Sequence, residues 1–105
     1  MTRIAVTRRG RRWAFTAEGH ATGSPEACAG VSALIGALGL WLESKPRGVR
    51  RVRFEAAPGY ARVRFTGGGA AAELILAGLR AIAEQYPAAV EVRFERRPSR
   101  RGKRP

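Results

Sequence analysis

Apolar residues alternate with polar ones in two pairs of short segments, which predicts two β-hairpins. In the first pair Ile4 and Val6 alternate with Arg, Ala and Thr, and Trp13 and Phe15 do the same after a turn at residues 8–10. Side chains on a strand point to alternate sides, so period-two alternation is typical of a strand with one buried side. The sequence therefore opens with a hairpin.

The same alternation predicts a second hairpin, with a turn at residues 57–59, and a last strand near residue 92. The apolar positions of these strands are Val52, Phe54, Ala61, Val63, Phe65, Val90, Val92 and Phe94. Because the three phenylalanines share the apolar phase of their strands, we expect them in the core rather than on a base-stacking surface.

A long apolar run predicts the first helix. Ser24 as N-cap, Pro25 at the first helical position and Glu26 in the first turn indicate its start, and it should run to about Glu43. The run is apolar almost all round, which predicts burial. Its stripe of small residues should allow close approach of a sheet or second helix; the stripe comprises Ala29, Ala33 and Ala37.

Helical spacing of apolar residues over 70–86 predicts a second helix, which Pro87 ends. Residues 67–69 are three glycines before this helix, and without a phosphate-binding frame they predict a loop. The element order is then ββαββαβ, and the fold class is α+β: a two-layer sandwich with two helices on one face of a mostly antiparallel sheet.

Length and charge divide the chain into one domain and a tail. The 105 residues suit one core, and 45% hydrophobic residues are too many for a disordered polycation despite a net charge of +12. Residues 1–95 are predicted to form the domain. Residues 96–105 hold six cations and no large apolar residue, which predicts a disordered basic tail.

Cysteine and histidine counts exclude several kinds of site. One Cys cannot form an intramolecular disulfide, and one Cys with one His falls short of a structural zinc site, so we expect no metal and no cofactor. The sequence has no Asp and no Asn, so neither a Ser-His-Asp nor a Cys-His-Asn triad can form within one chain. The Arg-rich start does not resemble a secretory signal, and the apolar run at residues 27–42 is too short and too rich in Gly and Ala to predict a membrane span. We therefore expect no membrane contact and a reduced, cytoplasmic location.

His20 and Cys28 lie eight residues apart, His20 on the loop and Cys28 near the start of the first helix. The partial positive charge at a helix N-terminus favours the thiolate, which is the nucleophilic form, and free amides there can receive an oxyanion. Ser32 follows one turn later and Glu26 is the nearest acid. The alternative gives none of these residues a chemical role. Cys28 would be a small buried hydrophobic residue, His20 would be solvated, and the Ser32 hydroxyl would bond to a backbone carbonyl of its own helix.

Residues 19–21, Gly-His-Ala, followed by residues 27–34, Ala-Cys-Ala-Gly-Val-Ser-Ala-Leu, resemble the paired signature of the ribosomal-processing cysteine protease family, Prp. The resemblance implies a compact α/β sandwich and a homodimeric cysteine endopeptidase. In the family the substrate is an N-terminal extension of the large-subunit ribosomal protein twenty-seven, cleaved after a short hydrophobic, Phe-containing motif.

Carried over by position, the resemblance implies that Cys28 is the nucleophile and His20 its general base. The substrate loop would include Gly19, Ala21 and Gly23, and Ser32 falls where the family also has a serine. Two features depart from the family: the loop from His20 to Cys28 is shorter, and residues 24–26 replace the usual Asp before the Cys. A Cys-His dyad requires neither feature.

Two other functions fit the same residues. Arginine clusters at residues 8–12, 50–53 and 96–104 would suit a non-catalytic ribosome- or RNA-binding module, with ribosomal RNA contacting the basic surface and tail. The charge can equally belong to a solvated surface. A Prp-like fold without activity, serving as an assembly factor, is the third hypothesis, which the shortened loop supports.

Overall fold

A computed structural model describes residues 1–19 and 23–98 of the chain. The element order agrees with the predicted one: β1 (Thr2–Arg9), β2 (Arg12–Glu18), α1 (Pro25–Glu43), β3 (Arg50–Ala57), β4 (Tyr60–Thr66), α2 (Gly69–Gln85) and β5 (Val90–Arg97). The helix bounds lie within one residue of those predicted from the sequence.

The five strands form one sheet in the order β3-β4-β2-β1-β5. Three neighbouring pairs are antiparallel, and β1 pairs with β5 in parallel, from Thr2 opposite Val90 to Arg9 opposite Arg97. The predicted α+β class with a mostly antiparallel sheet is confirmed. The long crossover from β4 through α2 carries the chain to the far side of β1.

One side of the sheet carries the apolar residues and faces both helices. Trp13, Phe15 and Phe65 stack there with ring centroids 6.2 and 6.3 Å apart. The buried apolar strand residues on this side are Ile4, Val6, Trp13, Phe15, Val63, Phe65 and Val90. Because alternate residues face opposite sides, the arginines between them lie on the side without helices.

The two helices approach each other through glycines. A β-carbon at Gly30 would lie 2.9 Å from Ile82 Cδ1, and one at Gly78 would lie 2.9 Å from Leu34 Cδ1. The expectation that the alanine stripe at residues 29, 33 and 37 makes this contact is wrong, since all three alanines are exposed. Each glycine instead receives a large side chain of the facing helix.

The prediction that α1 is buried all round is also wrong. One side packs into the core through Val31, Ile35 and Leu38, whereas Leu40 is 70% exposed. By length and composition alone, α1 is long and apolar enough to cross a membrane, with a mean hydropathy of 1.4. Two helices over one sheet leave the outward side of α1 without a protein neighbour among the described residues.

Strand β3 lies at the sheet edge, and all eight of its residues are exposed. Phe54, predicted as core, is 47% exposed and rests its ring against Gly39 of α1. Arg51 has a φ of +57° at a register shift between Arg50 and Arg53. The apolar residues of β3 therefore lie on the helix side of the sheet, where α1 covers them only in part.

Strand β5 continues to Arg97, so it includes the first two residues of the predicted basic tail. Arg96 and Arg97 pair with Arg8 and Arg9 of β1, so backbone pairing rather than side-chain hydrophobicity sets the end of this strand. The rest of the predicted tail from residue 99 onward lies outside the described residues.

Gly67 tests how strictly the turn before α2 depends on glycine. Its φ is +89°, its N–H donates to Arg11 O at 2.9 Å, and a β-carbon would overlap the carbonyl oxygen of Gly48. We expect Gly67→Ala to lower the free energy of unfolding by about 2 kcal/mol or more. Gly36→Ala is the matched control, because no atom lies within 4 Å of its β-carbon position. Alanine should raise helix stability there by about 0.5–1 kcal/mol. Equal effects in urea denaturation would contradict the prediction.

Candidate active site

The start of α1 presents a cysteine to solvent. Pro25 is the first helical residue, and Cys28 donates its backbone N–H to Ser24 O at 3.1 Å while its side chain is exposed. The predicted hydroxyl cap is absent, since the Ser24 side chain makes no hydrogen bond to the helix end. Cys28 is thus not the buried hydrophobe of the alternative interpretation.

Cys28 lines a cavity of about 380 Å³, here called the site cavity. Cys28, Ser32 and Gly36 are spaced by four residues and form the α1 wall. The remaining wall residues come from adjacent positions on the same face of α1 and from β1, β2, the residue after β2 and the β3–β4 hairpin: Thr2, Ala17, Gly19, Val31, Ile35, Phe54, Ala57, Gly59, Tyr60 and Ala61.

A backbone hydrogen bond joins two walls of the site cavity. Gly19 at the end of β2 donates its N–H to Gly59 O in the β3–β4 turn at 2.8 Å. Gly19 has a φ of +88°, and a β-carbon there would overlap the carbonyl oxygen of Met1. Glycine is therefore required at the residue from which the loop to α1 departs.

The lining is mainly apolar, with few polar groups. Thr2 is 6% exposed, and it lines the site cavity with Ser32 and the Cys28 thiol. Cys28 makes the first helical hydrogen bond of α1, so the N–H groups of Glu26 and Ala27 before it have no acceptor within the helix. A thiol beside helix-terminal amides can perform acyl transfer, in which the amides stabilise the oxyanion.

The structure brings together some of the predicted site residues and separates others. Cys28, Ser32 and Gly19 line one cavity. Glu26 is exposed in the first turn of α1 and does not line it, and neither does Gly23, which has a φ of +81°. His20 and Ala21 lie outside the described residues.

Sequence reasoning missed the wall that faces α1. Thr2, Phe54 and Tyr60 are far from the Cys28 signature in the chain and reach the cavity only through strand pairing. The aromatic Tyr60 directly after a Pro-Gly turn was the one local signal available.

Within residues 1–19 and 23–98, no group of three or more His, Cys, Asp or Glu side chains could hold a metal ion.

Solved structures with the same fold include the essential ribosomal processing protease Prp from S. aureus. With a substrate peptide bound, that protein matches with a TM-score of 0.75 at 16% identity, over 90% of this chain and 100% of its own. Its complex with a covalently linked product peptide matches with a TM-score of 0.73 at 17% identity, over the same shares of both chains.

SMU.848 from Streptococcus mutans also matches, with a TM-score of 0.68 at 20% identity, over 92% of this chain and 96% of its own. No family model matches the sequence, and no curated protein matches it. The chain thus has a two-layer α+β fold with one helix-covered sheet. More particularly, it has the Prp-like fold, as the sequence resemblance implied.

The exposed thiol should react in the folded protein. We expect iodoacetamide to modify Cys28 without denaturant, since its side chain is solvent-accessible in the folded protein. Mass spectrometry of the intact protein measures the modification, and Cys28→Ser is the blank. A thiol that reacts only after denaturation would contradict this geometry and favour a non-catalytic protein.

Proposed function

We propose that the protein is a cysteine endopeptidase of the Prp type. The observation that supports this best is the exposed Cys28 thiol, set at the N-terminus of a long helix in the wall of an apolar cavity. The Prp of S. aureus has the same fold and was solved with peptides, one of them covalently linked. The proposed substrate, carried over from the sequence resemblance, is the N-terminal extension of ribosomal protein twenty-seven of the large subunit, cleaved in the cytoplasm.

In the proposed reaction His20 takes the proton of Cys28, and the thiolate attacks the carbonyl carbon of the scissile peptide. The developing oxyanion accepts hydrogen bonds from the amides of the first turn of α1. The C–N bond breaks as His20 returns its proton to the leaving amine. Water then hydrolyses the thioester, which releases the carboxyl product and restores the thiol.

The catalytic group is a dyad rather than a triad. The chain has no Asp or Asn, and Glu26, the nearest acid in sequence, does not line the site cavity. Ser32 lines it one turn after Cys28, so its hydroxyl is a positioning group for the thiol or the substrate. Its loss should therefore affect the rate much less than the loss of the thiol.

The walls of the site cavity suit an extended peptide with apolar side chains. Phe54 and Tyr60 supply aromatic surface opposite the thiol wall, and Val31 and Ile35 extend the apolar lining. Sites of this kind bind mainly by apolar contact, with a few polar groups fixing orientation. A short hydrophobic, Phe-containing motif before the cleaved bond matches this lining.

Cleavage of a ribosomal protein twenty-seven that bears its N-terminal extension tests the proposal. We expect Cys28→Ala and His20→Ala each to lower kcat/KM by more than about 10³-fold, because each removes a reacting group. Ser32→Ala is the matched control on the same helix face and should cost less than about tenfold. Product is followed by mass spectrometry. Cleavage by Cys28→Ala at the rate of the unaltered protein would refute the proposal.

We also propose that two copies form a homodimer through the outer side of α1 and the β3 edge. Leu40 is 70% exposed, and Val52 and Phe54 on the unpaired edge are 41% and 47% exposed. Phe54 packs on Gly39, the neighbour of Leu40, so the apolar surface continues from helix to strand. Exposed apolar edge strands are a liability that a second copy can cover.

Sedimentation velocity measures the oligomeric state of the purified protein. We expect a dimer that Leu40→Glu converts to monomer, since a carboxylate would be desolvated in the interface. Leu74→Glu is the matched control, because Leu74 is 72% exposed on α2, away from this surface. A monomer for the unaltered protein, or equal dissociation by both substitutions, would contradict the proposal.

A further inference from the structure

The side of the sheet without helices carries a wide hollow lined by arginines. Its volume is about 590 Å³, and it lies over β2 and β4. No acidic residue is among the described residues that line it. The seven arginines that define this arginine hollow are Arg9, Arg12, Arg51, Arg53, Arg62, Arg64 and Arg97.

Strand register places like charges directly opposite one another in the arginine hollow. Arg9 lies between Arg12 on β2 and Arg97 on β5, which makes a row of three arginines across neighbouring strands. Arg53 lies opposite Arg64 in the same way. Directly opposed like charges destabilise a sheet, so an anion seated here would relieve repulsion that the fold itself maintains.

The protein supplies little compensating charge to these arginines. Glu55 lies 3.7 Å from Arg64, and Glu95 lies 3.1 Å from Arg97, with all four side chains 40–60% exposed. The exposed Arg64–Glu55 pair is weak, whereas Arg97 donates two hydrogen bonds to the Glu95 carboxylate. The Nε atoms of Arg62 and Arg64 are buried and make no hydrogen bond within residues 1–19 and 23–98.

Arginines on the helix side of the sheet differ from this set. The guanidinium of Arg8 lies 5.3 Å from the Trp13 ring centroid, and that of Arg80 lies 5.5 Å from the Phe94 ring. These two arginines have partners within the protein. By contrast, five of the seven arginines of the arginine hollow have no acidic partner among the described residues.

We propose that the arginine hollow binds the sugar-phosphate backbone of double-stranded RNA. A nucleic-acid duplex presents the dense, regular negative charge that several arginines fixed on a rigid sheet can neutralise together. The aromatic residues at the hollow, Trp13 and Phe65, are 3% and 2% exposed and cannot stack on unpaired bases. Recognition therefore depends on the backbone and tolerates many sequences.

An acidic protein fits this surface less well. A stable protein interface needs buried apolar or aromatic anchors at its centre. The exposed large apolar side chains among the described residues, Met1, Leu40, Val52, Phe54 and Leu74, do not line the arginine hollow. We choose RNA rather than DNA because the proposed substrate is a ribosomal protein, so this choice rests on the proposed function. The evidence that the arginine hollow binds an anion does not depend on that function.

The arginine hollow and the site cavity use different ends of the same strands. On β4 the hollow uses Arg62, Arg64, Phe65 and Thr66, whereas the cavity uses Tyr60 and Ala61. On β2 the cavity uses Ala17 at the end of the strand, whereas the hollow uses its first residues. The protein can thus hold RNA and a peptide simultaneously, which suits cleavage of a ribosomal protein close to its RNA.

Fluorescence anisotropy of a labelled RNA hairpin tests the proposal with the protein of 105 residues. We expect affinity to fall more than about 100-fold between about 50 and about 200 mM salt, as expected when about four phosphates are neutralised. Arg62→Gln with Arg64→Gln should weaken binding at least about tenfold and reduce the salt slope by about 2. Lys45→Gln with Arg47→Gln, a loop pair of equal charge, is the matched control and should change affinity less than about threefold.

Further variants keep the test decisive. Should the first pair fail to fold, Arg12→Gln with Arg97→Gln must reproduce the loss of affinity. The proposal is overturned by unchanged binding in a folded hollow variant, by tighter binding of a DNA hairpin of the same sequence, or by displacement with polyglutamate at equal charge. Cys28→Ala should bind RNA with the affinity of the unaltered protein. RNA binding and peptide cleavage are therefore tested separately, and the protease proposal can fail without affecting this one.

Discussion

Two helices can cover only one face of a five-stranded sheet, and most features of this protein follow from that constraint. Five strands span about 24 Å at about 4.8 Å each, while two packed helices span about 20 Å. The apolar side chains of β1, β2, β4 and β5 have helices above them, whereas every residue of β3 is exposed. Among residues 1–19 and 23–98 nothing covers the opposite face, and the arginine hollow lies there.

The same constraint separates the chemistry of the two faces. The site cavity lies between the start of α1 and the β3–β4 hairpin, which extends beyond the part of the sheet that the helices cover. Its walls are therefore apolar and open to solvent. The hydrogen bond from Gly19 N–H to Gly59 O links the end of β2 to that hairpin and sets the distance between these two walls of the site cavity. The uncovered face is stiffened by sheet hydrogen bonds, which hold arginines at fixed spacing with no helix to screen them.

Local patterns in the sequence predicted those features that depend on neighbouring residues. Alternation located the strands, and Ser24, Pro25 and Glu26 located the start of α1 within one residue. The pairing of Cys28 with Ser32 on one helix face followed from helical spacing and agrees with the cavity lining. Hydrophobicity alone does not distinguish helix-covered from uncovered strands, so alternation predicts Phe54 in the core although it is 47% exposed.

Features that depend on long-range pairing were not predictable from such patterns. The alanine stripe of α1 has the spacing of a close helix contact, yet the register of the two helices places Gly30 and Gly78 there instead. Thr2 enters the site cavity because β1 lies beside both β2 and β5, an order that no local signal encodes. The end of β5 at Arg97 likewise follows from its partner strand rather than from its own residues.

The parallel pairing of β1 with β5 has a consequence for how the chain folds. Thr2 pairs with Val90, so the inner strand β1 gains one of its two neighbours only after nearly all the intervening chain has been ordered. The hairpins and the β2–β4 pair involve much shorter separations and can form earlier. Closing long loops costs entropy before contacts compensate, so folding should be slowed by this final strand insertion. During synthesis, β1 would keep one edge open until the last strand has left the ribosome.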